Sequence, residues 1–536
     1  MAPFARSVAT RVALTCGLAC GCSASPMPAR PTDSIDAGRD AAVDPREEAG
    51  KGDSSAAKDA GVGALELLST SPLALAPSFQ PTTHDYYLSC AAGTNTLRVS
   101  ATAAPGGTVA LLEPTAVSDA GAAATSGASL DATVELTENE ALVVGVTTEG
   151  ATEQYWVRCL PSDFPGLELT LHPEAGTPTA GYYLIGPVLR TAGLGYAIMM
   201  DSHGVPVWYD TAQGGLAAVD VDNLIPGVIS YVPYVEFTFG AVTTSFELHD
   251  LVHGTVSFVA SSGIPLDLHE LQVLPNGDYL VIANPITVGV DLTGLMDFGA
   301  NENMVECDIQ EVTPSGTSVW QWNAIDHFDP VEDSILPVTG IADGMPFVDP
   351  FHCNSIDVDA AGDLLVSSRS MNSVFLVTRA TGTVAWKMGG STYTKDGAPY
   401  IAVQDDPLTS FYGQHDARFL SDGTLSMFDD QEATPGPARA VIYSYDVTAG
   451  TASVVWQYEG TAPSTGMGSF RITADGSRVI GWGVSDALNR SFTEVDEDGH
   501  DLLDFTFSAG DTTYRAIKIP VTAFDIATLR ATAGGR

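Results

Sequence analysis

The chain reads as all-β, a six-bladed β-propeller behind an N-terminal β-sandwich, and three observations predict it. Short apolar runs alternate with turn signals along the C-terminal two thirds: Asp201-Ser-His-Gly204, Pro275-Asn-Gly277, Pro314-Ser-Gly316, Ala360-Ala-Gly362, Ala380-Thr-Gly382, Ser421-Asp-Gly423, Ala474-Asp-Gly476 and Glu497-Asp-Gly499. Turns of this kind between alternating strands are hairpin connections. Many of the strands that follow end in tryptophan, as in Val205-Pro-Val-Trp208, Thr317-Ser-Val-Trp320, Thr383-Val-Ala-Trp386 and Val454-Val-Trp456. Finally, His269, His352 and His415 each open the same pattern of apolar strand, Gly turn and second strand. A repeated strand–turn–strand unit that buries its face only against its neighbours marks a radial β-architecture.

The elements follow in chain order. Residues 1–22 have a basic start at Arg6 and Arg11, a short apolar stretch from Val12 to Ala19, and the small-residue run Cys20-Gly-Cys22-Ser. This is a targeting segment, to be left out of fold reasoning. It resembles a bacterial lipoprotein signal, which implies an exported outer-membrane lipoprotein, facing periplasm or cell surface, with Cys22 as the favoured lipidated residue. An ordinary secretory signal is the alternative. No later stretch approaches the roughly 18 apolar residues needed to span a bilayer, so a lipid anchor is the one membrane attachment expected. Residues 23–63 are Pro, Ala, Asp, Ser and Gly with almost no aromatic or β-branched side chains. Such an acidic linker cannot bury enough apolar surface to offset its ordering entropy and is expected to be disordered.

Residues 64–162 carry regularly spaced alternating runs, Leu97-Arg-Val-Ser-Ala-Thr, Thr108-Val-Ala-Leu-Leu, Ala132-Thr-Val-Glu-Leu, Ala141-Leu-Val-Val-Gly-Val and Gln154-Tyr-Trp-Val-Arg-Cys. They predict a small antiparallel sandwich. With Leu65-Glu-Leu-Leu-Ser-Thr-Ser-Pro and His84-Asp-Tyr-Tyr before them, the segment resembles the cadherin-like or immunoglobulin-like modules of bacterial surface proteins. His84 and Tyr86 are read as structural. Residues 163–536 divide into six blades of about sixty residues, each a four-stranded antiparallel sheet; seven smaller blades fit the same length. In an exported chain Cys90 and Cys159 are expected to pair, and Cys307 with Cys353 forms a second disulfide.

The formal net charge is −43, with 45% hydrophobic and 17% charged residues. A chain this acidic repels polyanions, which excludes nucleic acid and an anionic membrane surface as partners. Its histidines are therefore read for small-molecule chemistry. On the innermost strands of three consecutive blades, His269, His352 and His415 converge on one axis, while the corresponding position near Gly468-Ser469 has no imidazole. Asn354, two residues after His352, falls on the same face of a period-two strand. Arg369 in Val366-Ser-Ser-Arg closes the next strand. Three imidazoles, an amide and a guanidinium select a small oxyanion through charge-assisted hydrogen bonds. Zinc or copper is the competing occupant of a three-histidine set. Arg369 speaks against it, because a fixed positive charge repels a divalent cation and no carboxylate balances it in the sequence; no metal or cofactor is expected. His203, His249, His253, His327 and His500 lack the register and are read as surface or turn residues, with His327 the one able to approach the channel. Cys353 as a nucleophile is disfavoured, because a neighbour of His352 on a strand points to the opposite face.

The order His269, His352-x-Asn354, Ser-Ser-Arg369, Gln414-His415, Phe470-Arg-Ile-Thr-Ala-Asp-Gly and Thr513-Tyr-Arg-Ala resembles the bacterial arylsulfotransferase family over residues from about 180 to 518. The resemblance implies a six-bladed propeller with an N-terminal β-sandwich. It also implies transfer of a sulfuryl group from an aryl sulfate to a phenolic acceptor, without a nucleotide sulfate donor. It casts His415 as the nucleophile that becomes sulfohistidine, with His269, His352, Asn354 and Arg369 gripping the sulfuryl oxygens, and a protonated His352 or His269 among them. Two other functions fit the sequence: a non-catalytic propeller that binds a ligand or partner at the cell surface, and a hydrolase with water as acceptor. Aromatic residues at the channel mouth favour the transferase, and Phe411, Tyr412 and Tyr514 are the candidates. The long insertions at 285–303 and 390–410 leave open whether the channel is plugged. The oligomeric state is not encoded in any readable motif.

Overall fold

A computed structural model of the chain describes residues 64–114, 127–188, 195–212, 217–234, 244–342, 344–485, 490–508 and 510–535. Residues 1–63, where the targeting segment with Cys20 and Cys22 and the linker are expected, lie outside them. The protein is all-β, with one short α-helix among the described residues, Ile526–Thr532, capped by the Asp525 side chain on the Thr528 amide.

Two sheets near the N-terminus share one core. One pairs Leu65–Ser71, Asn95–Ala103 and Ser129–Leu136; the other orders Asp85–Ser89, Ala151–Leu160, Ala141–Thr148 and Thr108–Glu113. In Asn95–Ala103 every second residue is buried, so Leu97, Val99 and Ala101 face Leu142, Val144, Tyr155 and Val157 across the layer. Burying one such side chain is worth about 1.5–3 kcal/mol, which is why the alternation fixes the strand's register. Cys90 and Cys159 are bridged inside this core. His84 stacks on Tyr155 with 4.8 Å between ring centroids, and Tyr86 donates to the Gln80 carbonyl at 2.7 Å.

Among the described residues the rest of the chain forms six antiparallel units of four strands, the sixth extended at its outer edge by a fifth strand, Leu167–Leu171. The second to sixth open with Ala218–Ile225, Leu266–Val273, Cys353–Val358, His415–Phe419 and Ser469–Ile472. The first is closed by the chain's last strand: Ile517–Pro520 pairs with Gly181–Ile185, ahead of Tyr196–Asp201 and Pro206–Thr211. These six leading strands touch in cyclic order, 218–225 on 266–273, then 353–358, 415–419, 469–472, 517–520 and back to 218–225. The expected Gly turns join strands within the units; Gly277 and Gly423 take φ of +87° and +85°, a conformation a side chain resists. Trp208, Trp322, Trp386 and Trp456 sit on fourth strands, and the last three meet Phe375, Tyr445 and Phe470 of the following unit.

The space between the leading strands is filled by ion pairs. Glu270 accepts from Arg418 at 2.7 Å and from Arg515 at 2.8 Å; Arg515 also reaches Asp220 at 2.5 Å, and Asp416 holds Arg418 and Arg471 at 2.7 and 2.8 Å. Buried charges this close are tolerated because each has a partner. Arg418 and Arg471 hold the Asp416 carboxyl low despite its burial, and Asp220 is pushed up to about 7 by its burial. Glu270 and Asp416 directly follow His269 and His415, so this network anchors the backbone that carries two of the histidines.

Both long insertions contribute strands to sheets. Ile286–Val290 and Glu302–Val305 join Met345–Asp349 and Val338–Ala342 in a separate four-stranded sheet, while Tyr400–Gln404 lies between the fourth strands of the fourth and fifth units. The Cys307–Cys353 disulfide ties the third unit to the start of the fourth, one residue from His352. It closes a separation of 46 residues, so the Cys307→Ser/Cys353→Ser double variant is expected to lose about 3–4 kcal/mol of stability. Chemical denaturation checks this; an unchanged midpoint would refute it.

Candidate functional site

Each leading strand of the second to fifth units breaks its ladder near the same end. Pairing slips between Val219 and Asp222, Leu266 and Leu271, Cys353 and Ser355, and His415 and Arg418. Asp220, His352 and Asp416 hold φ of +54°, +47° and +55° there. Left-handed backbone at non-Gly residues costs on the order of 1 kcal/mol or more and persists where surrounding structure demands it. These bulges re-aim side chains. They also correct the period-two expectation: alternation does not run through His352 and Asn354.

A cavity of about 370 Å³ opens at these bulges, lined by His269, His352, Arg369 and His415 together with an apolar majority. The His269 and His352 rings meet edge to face at 4.9 Å between centroids. Each imidazole is braced through Nδ1 by a carboxylate: His269 by Asp267 at 2.6 Å, His352 by Asp349 at 2.8 Å, His415 by Asp430 at 2.7 Å. Asp267 and Asp349 also accept the backbone N–H of their own histidine, at 2.8 Å each. Although burial opposes it, His269 draws the Asp267 carboxyl below its usual value.

His415 is 2% exposed, and its protonation follows from its neighbours. At Nδ1 the Gly413 carbonyl, 3.0 Å away, can only accept; at Nε2 the Met467 backbone N–H, 3.3 Å away, can only donate. The proton is therefore on Nδ1 and the lone pair on Nε2. Burial, reinforced by His269 and Arg369, holds this imidazole well below its usual value, while burial pushes the Asp430 carboxyl well up. Burial also lowers His352, against the pull of Asp349. This disfavours a protonated His352, one of the two alternatives the sequence left open.

Arg369 follows the strand Leu364–Ser368 and ion-pairs with Glu432; it also donates to the Leu336 carbonyl at 3.4 Å. The expectation that no carboxylate balances Arg369 is thus corrected, because residues 63 apart in sequence meet here. Asn354 is fully buried behind the cavity wall: its Nδ2 donates to the Gln414 carbonyl at 2.8 Å, its Oδ1 has no hydrogen-bond partner, and its carbonyl accepts from Arg515 at 3.0 Å. It does not line the cavity.

The aromatic lining differs from expectation. Phe411 is packed in the core, Tyr514 is buried with its hydroxyl on the His269 carbonyl at 3.0 Å, and Tyr412 borders a separate pocket. Tyr234 and Phe347 take their place, with Leu266, Leu268, Val305, Val338, Met467 and Val484. Val305, Val338 and Phe347 belong to the inserted sheet, which makes one wall. His327 is away from this cavity, stacked on Trp322 and bonded to Asp396 at 2.7 Å. Among the described residues, clusters with metal-ligand spacing occur elsewhere, at His172, Asp501 and Asp504 and at Asp496, Asp498 and His500. Sequence reasoning missed Asp267, Asp349, Asp430 and Glu432. The first two carried a signal, Asp267-x-His269 and Asp349-x-x-His352; the other two stand 15 and 63 residues from their partners.

No curated protein matches the chain. Among solved structures, a protein of unknown function from Bacteroides caccae is 12% identical, with 64% of this chain and 99% of that one covered and a TM-score of 0.39. A quinonprotein alcohol dehydrogenase-like protein from Bacteroides thetaiotaomicron is 10% identical over 83% and 98%, TM-score 0.31. A virginiamycin B lyase from Staphylococcus aureus is 10% identical over 64% and 88%, TM-score 0.31. Residues 252–508, the stretch holding all the cavity's histidines and Arg369, match the family model described as Arylsulfotransferase (ASST), and that match supports the arylsulfotransferase family for this chain.

Proposed function

We propose that this protein transfers a sulfuryl group from an aryl sulfate to a phenol through a sulfohistidine at His415. The observation that carries the reading is the fixed tautomer of His415, which presents the Nε2 lone pair in a cavity shared with Arg369. In the first displacement Nε2 attacks sulfur, the bond from sulfur to the aryl oxygen breaks, and its electron pair leaves on the aryloxide. The sulfated ring is cationic, and Asp430 stabilises that charge through Nδ1–H. Arg369 meets the sulfuryl oxygens, where charge-assisted contacts in a water-poor site count most. In the second displacement the acceptor phenol loses its proton to Nε2 of His352, whose Nδ1 is held by Asp349. The phenolate attacks sulfur and the electron pair of the S–N bond returns to His415. The departing aryloxide draws its proton from solvent, and His352 returns the proton taken from the acceptor to solvent, so protons balance over the two displacements. Asn354, behind the wall, positions the Gln414–His415 backbone rather than gripping oxygen.

We read the cyclic set of four-stranded units as the six-bladed propeller, residues 163–536, and the two N-terminal sheets as the sandwich, residues 64–162. Two disulfides suit an oxidising compartment, and among the described residues no helix is long and apolar enough to cross a membrane. Export with a lipid anchor at Cys22 completes this reading.

Incubation with 4-nitrophenyl sulfate, with and without phenol, tests it. Phenol-dependent nitrophenolate release with formation of phenyl sulfate is expected; release indifferent to phenol indicates hydrolysis, and no release with any acceptor favours the binding protein. The apolar wall adds a second expectation. A Cβ on Gly340 would stand 2.6 Å from Cζ of Phe347, so Gly340→Ala must push that ring. We expect KM for the aryl sulfate to rise by roughly fivefold with kcat changed far less, the signature of lost ground-state binding. An unchanged KM would remove Phe347 from the binding wall.

A further inference from the structure

Arg369 is the cavity's one arginine, and it is not left unbalanced. The residue is 7% exposed, and its guanidinium is ion-paired with Glu432, whose side chain is 20% exposed and packs over Gly413, where a Cβ would come within 3.4 Å of Oε2. Gly413 in turn supplies the carbonyl that fixes His415. Arg369 lines the cavity and Glu432 does not. Asp267 and Asp349 line the cavity beside their histidines, and Asp430 stands behind His415, one carboxyl per imidazole. A bare arginine in a half-buried cleft would bind any tetrahedral oxyanion, and the more tightly the higher its charge.

We propose that Glu432 sets the anion specificity of the site, neutralising Arg369 from behind so that the cavity accepts a monoanionic sulfate ester and rejects the dianionic phosphate ester of the same shape. The proposal rests on the sulfuryl-transfer reading for its substrate. The physical distinction is simple. A sulfate monoester carries one negative charge near neutral pH, whereas a phosphate monoester, with a second pKa of about 6, carries close to two. With the one guanidinium already paired and the Asp267 and Asp349 carboxylates in the cavity wall, the second charge meets net repulsion. The hydrogen-bond geometry of the guanidinium serves both esters equally, so the discrimination comes from charge. Glu432 acts through Arg369 and is a positioning residue. It also keeps the phosphate esters and free phosphate of the surroundings from occupying a site whose turnover depends on releasing its ligand.

The test is binding rather than turnover, so that it stays separate from the catalytic reading. Isothermal titration at pH 8 with 4-nitrophenyl sulfate and 4-nitrophenyl phosphate is made on the full mature chain, on Glu432→Gln and on Glu432→Asp. The wild type is expected to prefer the sulfate ester by about tenfold or more, the scale of one unit charge at close range in a partly buried site. Glu432→Gln is expected to bind both esters more tightly and to lose most of that preference, and Glu432→Asp, which keeps the charge, to restore it. A wild type that binds the phosphate ester as tightly as the sulfate ester overturns the proposal whether or not the variants fold. A correctly folded Glu432→Gln with the wild-type preference overturns it as well. If the esters bind with this pattern but no sulfuryl transfer is found, the charge assignment stands and the catalytic reading fails.

Discussion

Replacing His415 with alanine is expected to lower sulfuryl transfer from 4-nitrophenyl sulfate to phenol by on the order of 10⁴-fold or more, the scale seen when a covalent nucleophile is deleted. The fold should survive. The substitution leaves Asp430 and the Gly413 carbonyl without their shared donor, a cost of about 1–3 kcal/mol each at most, which thermal unfolding will register. Brief reaction of the wild type with donor alone should add one SO₃ unit to the peptide containing His415, and initial rates should follow a ping-pong pattern. The same residue fixes the pH dependence. Protonation at Nε2 removes the attacking lone pair, and burial holds the His415 imidazole well below its usual value. The acid limb of kcat/KM for the donor should therefore fall below pH 6.5 or so, the unperturbed imidazole value. Retained acceptor-dependent transfer in His415→Ala, or an acid limb above that pH, would sink the assignment.

Asp430→Asn is the second large effect. Asp430 accepts the Nδ1–H through Oδ2, whereas the asparagine amide can turn its N–H donor toward Nδ1. Donation to Nδ1 would move the imidazole proton to Nε2 and take away the nucleophilic lone pair, so kcat is expected to drop by roughly 10²–10⁴-fold, as when the carboxylate orienting a catalytic histidine becomes an amide. Stability should hardly fall, because the two side chains are nearly the same size and the buried Asp430 Oδ1 already lacks a hydrogen-bond partner. Relief of a buried carboxyl can offset the altered hydrogen bond. Nitrogen-15 spectra of the imidazole would show the change of tautomer directly. Wild-type kcat in a well-folded Asp430→Asn would mean that Gly413 and Met467 suffice to set the ring, and that Asp430 is structural.

Local chemistry was legible along the chain. Alternation in Leu97–Thr102 and Ala132–Leu136 gave strands where the two-sheet core lies, because a period-two pattern has only one way to bury its apolar half. Asx-Gly turns gave the hairpins, since few residues tolerate the backbone they need. The cysteine pairs could be anticipated in an exported chain. The three histidines and Arg369 were found by recurrence, and the structure gathers them around one cavity.

What was not legible follows from the same physics. Asn354 was placed beside His352 by counting along a regular strand, but the ladder slips at Cys353 and Ser355 and the count fails there. The aromatic wall came from Phe347 on an inserted sheet with no counterpart in the repeat, while Phe411 and Tyr514 went to the interior. By itself the sequence determined which segments are strands, where they turn, which cysteines pair and which histidines recur, because each depends on a residue and its near neighbours. Only the tertiary structure decided which carboxylate braces His415, that Glu432 neutralises Arg369, and which walls enclose the cavity. Those contacts join positions tens of residues apart, and no local pattern records a distance that is closed by the ring of units.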